Sequence, residues 1–148
     1  MAKPARPVSK ISNRRARYDY ELGDSLVVGL ALTGAETKAL RLGHGQLRGA
    51  FVQPRGDELW LVGAQINSAR GVQVSDETRS RKILAKRREI DQLLTARQSG
   101  YSIIPLEVLP NGRFIKLRIA VGRGKKRYDK RETIKRRQQE REIARQSR

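Results

Sequence analysis

Residues able to do covalent chemistry are scarce in this chain. His44 is the single histidine among 148 residues, so a Ser-His-Asp relay has one place to form, and its Gly43-His44-Gly45 setting reads as a loop. Cysteine is absent, which excludes a disulfide, a thiolate metal site and a cysteine nucleophile. No His-Glu-x-x-His, calcium loop or acidic cluster supplies metal ligands. Gly29 and Gly34 have phosphate-loop spacing, yet Ala35 and Glu36 stand where Lys and Ser/Thr are required. Gly122-Arg-Gly124-Lys-Lys follows a strand-like run, as phosphate loops do, yet lacks the remaining pattern; its amides and two lysines could still cradle an RNA phosphate. Asp129, Glu132, Glu140 and Glu142 sit among Arg and Lys, which suits helix ion pairs better than an acid/base dyad. The residues point to a cofactor-free binding protein, not an enzyme.

The charge says what would be bound. Lys and Arg total 33 against 15 Asp and Glu, a formal net charge of +18. Such an imbalance selects a polyanion, because each cation near a phosphate releases a condensed counterion. The charge is concentrated at the ends: residues 1–17 carry +6 with no acid and residues 122–148 carry +8, leaving +4 on the 104 between. A folded core with two cationic arms is expected. No apolar run approaches the roughly 20 residues a membrane helix needs. The start, Met1-Ala-Lys-Pro-Ala-Arg-Pro7, lacks an apolar signal region. A soluble, cytoplasmic protein without a membrane partner is the expectation.

Elements must position these groups. Thr33-Gly-Ala-Glu36 fits a capping box, so a helix should run over about 34–42 and end at Gly43. Leu26 to Leu32 is an apolar run of strand length. Residues 51–54 and 58–63 flank Arg55-Gly56-Asp57, which reads as a hairpin turn. From Arg79 to Gln98, Ile83, Leu84, Ile90, Leu93 and Leu94 share one helical face, predicting a long helix closed by Gly100. Residues 101–109 and 113–121 read as strands joined by Pro110-Asn111-Gly112. Several short strands with no βαβ rhythm predict a mainly β fold, a small antiparallel OB-like barrel with flanking helices. Past Gly122 apolar content is too low to offset ordering entropy, so the tail is expected to be disordered when free. Lys130 to Arg145 nevertheless lacks Gly and Pro and is rich in helix formers, so docking on phosphates should make it helical.

Four blocks, Asn13-Arg-Arg-Ala-Arg17, Leu32-Thr-Gly-Ala-Glu-Thr-Lys-Ala-Leu-Arg41, Thr78-Arg-Ser-Arg-Lys-Ile-Leu84 and Gly122-Arg-Gly-Lys-Lys-Arg-Tyr-Asp-Lys-Arg131, resemble the SsrA-binding protein family, also called small protein B, which binds transfer-messenger RNA. Leu59-Trp-Leu-Val-Gly63 and Gly100-Tyr-Ser-Ile-Ile-Pro105 agree as well. Their order and spacing cover about residues 11–140. The resemblance implies a barrel that grips the tRNA-like domain of transfer-messenger RNA and a tail that enters the empty ribosomal decoding site. Elongation factor Tu and alanyl-transfer-messenger RNA would act alongside it in ribosome rescue and peptide tagging. By position, the RNA face would comprise Asn13, Arg14, Arg15, Arg17, Glu36, Lys38 and Arg41, with Arg79, Arg81 and Lys82 from the third block. Gly124, Lys125, Lys126, Tyr128, Asp129, Lys130 and Arg131 would form the working segment of the tail. The implied organisation is a basic arm over 1–12, an RNA-binding domain over 13–121 and a basic tail over 122–148.

The chain departs from the family pattern in places. Val27 stands where an acidic residue is usual, and Tyr18 where histidine is frequent. Thr37 and Ala39 replace a branched aliphatic and a serine, and Asp76-Glu77 replaces the common Asn-Pro or Asp-Pro before Thr78. Glu36 has two readings, as the far half of the capping box or as an acceptor for an RNA base edge or 2′-hydroxyl.

Overall fold

The computed structural model describes residues 11–125 and 127–146. Twelve elements follow one another among them: α1 (Ala16–Asp19), β1 (Tyr20–Leu30), α2 (Gly34–Arg41), β2 (Gly45–Gln46), β3 (Phe51–Arg55), β4 (Glu58–Val62), β5 (Gln65–Ile66), β6 (Arg81–Leu84), α3 (Arg87–Gln98), β7 (Ser102–Leu109), β8 (Lys116–Gly124) and α4 (Arg127–Gln146). Six strands form one antiparallel sheet in the order β3-β4-β6-β1-β8-β7, and β2 pairs with β5 in a separate two-stranded sheet. The edge strands β3 and β7 curl toward one another and touch. No ladder joins them among the described residues, so the sheet is strongly curved but not closed by hydrogen bonds.

Alternation along the strands builds the core. Val28 and Leu30 of β1, Leu59 and Leu61 of β4, Ile83 of β6 and Leu117 and Ile119 of β8 all point into the concave side and are buried. Helix α2 covers that side with Ala39 and Leu40, and α3 does so with Leu93. The sheet is long at its centre because β1 runs from Tyr20, well before the apolar stretch that announces it. A register shift between Leu22 and Ser25 bends β1 and lets it follow β8 along most of its length.

Several predicted elements appear as expected. Thr33 Oγ1 accepts from the Glu36 N–H at 3.2 Å, and Glu36 Oε1 accepts from the Thr33 N–H at 2.9 Å, completing the capping box of α2. Strands β3 and β4 meet through Gly56-Asp57, with Arg55 opposite Glu58 and Gly56 at φ +63°.

Three expectations need correction. Residues 79–98 are not one helix, because Arg81–Leu84 form β6 between β4 and β1. Ile83 is buried while its neighbour Leu84 is half-exposed, the two-residue alternation of a strand. Pairing on both sides of β6 overrides the helical spacing that these residues share with α3. The β7–β8 connection is not a tight Asn-Gly turn either. Leu109 pairs with Lys116, which leaves six residues, 110–115, outside the ladder. Finally, Gly122-Arg-Gly124 is not a loop after the strand. It continues β8, with Gly122 opposite Leu22 and Gly124 opposite Tyr20. A Cβ at Gly122 would lie 3.2 Å from the Glu21 carbonyl, so the glycine there permits close approach of β1.

Helix α4 spans the part of the tail that is rich in helix formers. Its residues with described side chains from Arg131 onward are exposed, Ile134 and Ile143 included. Lys126 and the side chains of Tyr128, Asp129 and Lys130 lie outside the described residues, as do residues 1–10. No helix is long and apolar enough to cross a membrane among the described residues.

Candidate nucleic-acid interface

The N-terminal block is held on the outside of the sheet by its own backbone. Ile11 is buried; its carbonyl accepts from the Val108 N–H at 2.9 Å, and the Asn13 N–H donates to the Leu106 carbonyl at 2.7 Å. Asn13 Nδ2 donates to the Pro105 carbonyl at 3.1 Å, so this amide positions the segment more than it offers itself to a ligand. Ala16 is buried beneath the short helix α1. With the backbone and the small residue turned inward, Arg14, Arg15 and Arg17 are left exposed.

Arg14 and Arg17 line an open cleft of about 890 Å³ together with Arg118 of β8, Lys125 and Arg137 of α4. Five cations thus face two carboxylates there, Glu21 and Glu107. Arg118 Nε lies 3.4 Å from Glu107 Oε1. Across the other ladder Arg118 stands opposite Val27, so Glu107 is its carboxylate partner and residue 27 adds no second one. The Lys125 N–H donates to the Asp19 carbonyl at 2.8 Å, fastening the root of the tail to the end of α1. Arg15 faces a neighbouring groove of about 460 Å³ between the two sheet edges, lined also by Arg48, Arg97 and the exposed Phe51.

Glu36, Arg79 and Arg81 form a different kind of cluster. Glu36 and Arg81 are 1 % and 0 % exposed. Arg81 Nε donates to Glu36 Oε2 at 2.7 Å, while its Nη1 and Nη2 donate to the carbonyls of Ala64 at 2.8 Å and Glu77 at 3.0 Å. Arg79 donates through Nε to Glu36 Oε2 at 3.1 Å and through Nη2 to Glu36 Oε1. Burial alone would raise the Glu36 pKa; the hydrogen bonds from Arg79, the Thr33 amide and Arg81 overcome it and hold the carboxyl below its ordinary value. This network bolts α2 to β6 and to the segment before it. Glu36 and Arg81 thus have their polar atoms engaged inside the protein, where they join α2 to β6.

The remaining sequence-predicted residues lie apart. Lys38 and Arg41 are exposed on α2, and Arg41 Nη2 donates to the carbonyls of Gly112 and Arg113, both at 3.1 Å. Lys82 stands on the convex side of β6 opposite Trp60 and pairs with Glu58 at 3.1 Å. The structure therefore gathers Asn13, Arg14, Arg17 and Lys125 at one cleft and leaves Lys38, Arg41 and Lys82 elsewhere. It adds Arg118 and Arg137, which sequence reasoning missed. Arg118 alternates between Leu117 and Ile119, which signals the convex side of a strand; nothing local says that α1 lies beside it. Arg137 is one of twelve cations in the tail, and only its placement distinguishes it. Among the described residues no group of His, Asp or Glu is placed to hold a metal ion.

Comparison with known proteins agrees with this architecture. The family model described as SmpB protein matches residues 10–148. An SsrA-binding protein of Salinispora tropica is 45% identical over 137 residues, covering 90% of this chain and 86% of that protein. One from a Synechococcus strain is 42% identical over 139 residues, covering 91% and 90%, and one from Streptococcus pyogenes is 41% identical over 137 residues, covering 90% and 88%. A solved chain described as "tmRNA-SmpB: a journey to the center of the bacterial ribosome" superposes with a TM-score of 0.66 at 34% identity, over 84% of this chain and 93% of that one. With nearly its whole length matched by the family model and by relatives more than 40% identical, the chain belongs to the SmpB family of SsrA-binding proteins.

Proposed function

We propose that this protein binds the tRNA-like domain of transfer-messenger RNA and delivers it to stalled ribosomes for trans-translation, acting as a binding partner without catalysis of its own. The observation that carries the reading is the cleft in which Arg14, Arg17, Arg118, Lys125 and Arg137 converge at the root of the basic tail. Folded RNA is recognised through its shape and backbone, and five converging cations suit its phosphates. The curved sheet serves as an OB-like scaffold. Arg15, Lys38, Arg41, Arg79 and Lys82 extend the RNA face beyond the cleft. Asn13, Glu36 and Arg81 support it from within.

The tail has the second task. Gly124, Lys125, Lys126, Tyr128, Asp129, Lys130 and Arg131 would form the segment that occupies the decoding site of the small subunit when no codon is present. Helix α4 has little apolar surface, so contacts with ribosomal phosphates would stabilise it there, after an elongation factor Tu complex has brought the alanylated RNA. The arm over 1–12 adds long-range attraction. Sequencing the RNA that co-purifies with the tagged protein tests the reading directly. One dominant small RNA with a tRNA-like end is expected, and stoichiometric ribosomal RNA alone would overturn it.

A further inference from the structure

Between β7 and β8, the loop over 110–115 carries a large apolar side chain that the fold does not use. Phe114 is 70 % exposed, and Leu42, just past α2, is 54 % exposed. The loop is nevertheless held. Arg41 Nη2 clasps the carbonyls of Gly112 and Arg113, and Gly112 sits at φ +108°, which a residue with a Cβ rarely adopts. The Arg113 guanidinium lies 5.6 Å from the Phe114 ring centroid, within cation–π range. Residues 37–46 and 108–116 carry Lys38, Arg41, Arg113 and Lys116 and no carboxylate.

We propose that Phe114, braced by Arg113 and the Arg41 clasp, is a stacking platform for one unpaired nucleobase, a second RNA contact just beyond the Arg118 end of the cleft. Lys116, where the loop joins β8, lies two residues before Arg118 at the near end of the cleft and roughly 30 Å from Lys125 at its far end, at about 3.3 Å per strand residue. A protein partner would need about 800 Å² of complementary surface, whereas a base needs one ring face and neighbouring cations for its phosphates, which is what this loop offers. Because the loop is pinned before the ligand arrives, little ordering entropy opposes the stack. The inference rests on the RNA-binding reading above and assigns it a further site.

The test uses the full chain and two probes, an in-vitro transcript of the tRNA-like domain of transfer-messenger RNA and vacant 70S ribosomes. Affinities are measured over a range of salt for the wild type, Phe114→Ala, Phe114→Leu, Phe114→Trp and the control Arg14→Ala/Arg17→Ala. Phe114→Ala should weaken one probe by about 5- to 150-fold, the span of base stacking on an aromatic. Phe114→Leu should lose nearly as much and Phe114→Trp should keep the affinity. The log affinity against log salt line should shift without changing slope, because no phosphate contact is removed. The probe that responds identifies which RNA supplies the base. Leucine performing as well as phenylalanine would mean apolar docking and overturn the stacking site. So would affinities within twofold of wild type for both probes. If the arginine control still weakens binding in that case, the RNA-binding reading survives; if it does not, both fall.

Discussion

Replacing Glu36 with glutamine separates a structural from a recognition role, because the two carry different signatures. In the folded protein the carboxylate receives one hydrogen bond from Arg81, two from Arg79 and one from the Thr33 amide. Glutamine keeps an acceptor for the Thr33 amide but removes the charge and turns an NH2 group toward two guanidinium groups. Arg81, 0 % exposed, keeps its backbone carbonyl partners but has no counter-charge left. Arg79 is less affected, since a third of its side chain is exposed and can be rehydrated. Breaking a buried pair from one side costs about 3–5 kcal/mol, and the relief available to Arg79 puts the expectation near the lower end. At a urea slope of ~1.5 kcal/mol/M, the unfolding midpoint should fall by about 2 M. RNA affinity, measured under conditions where the variant remains folded, should stay within a few-fold of wild type. The pH dependence follows the same network. A carboxyl whose folded pKa lies below its unfolded value, about 4.3, contributes stability that is complete above that value and is lost as pH falls through the folded pKa. The difference between wild type and Glu36→Gln should therefore be full at pH 7 and shrink below about pH 4. An unchanged urea midpoint accompanied by a large loss of RNA affinity would refute the positioning role and return Glu36 to the RNA face.

The cleft predicts a salt dependence: five or six phosphate contacts give a slope of log affinity against log salt of about −3.5 to −5.5. Arg14→Ala/Arg17→Ala should make it shallower by roughly 1.5, and a slope near zero for wild type would remove the polyanion argument. Truncation after Lys125, which spares β8 and the Lys125–Asp19 backbone bond, should leave the urea midpoint unchanged and RNA binding specific while abolishing peptide tagging on stalled ribosomes. Full tagging by the truncated chain would count against the decoding-site role of the tail. Gly45→Ala tests the packing of α2 independently. The new Cβ would fall 2.8 Å from Leu40 Cδ2 and 3.3 Å from the Gln65 carbonyl, so a loss of about 1–3 kcal/mol is expected by thermal unfolding.

Local chemistry sufficed for whatever depends on neighbours in the chain. The Thr33–Glu36 capping box, the Arg55-to-Glu58 hairpin and the cationic ends are all readable because the interacting groups lie within a few residues of one another. Composition also settled the kind of partner, since +18 of net charge acts through long-range attraction regardless of fold. What the tertiary structure alone decided involves pairing across long separations. Strand β6 exists because β4 and β1 pair with it on both sides, although Ile83 and Leu84 fit a helical face with Leu93. Glu36 meets Arg79 and Arg81 more than 40 residues away, and that meeting buries Glu36 and Arg81 in a network that ties α2 to β6. Arg118 joins Arg14, Arg17 and Lys125 because the N-terminal segment hydrogen-bonds to β7 beside it. No spacing in the sequence encodes such a meeting: which face of one strand ends up beside which helix is set by the register and curvature of the sheet, and these emerge when the whole core packs.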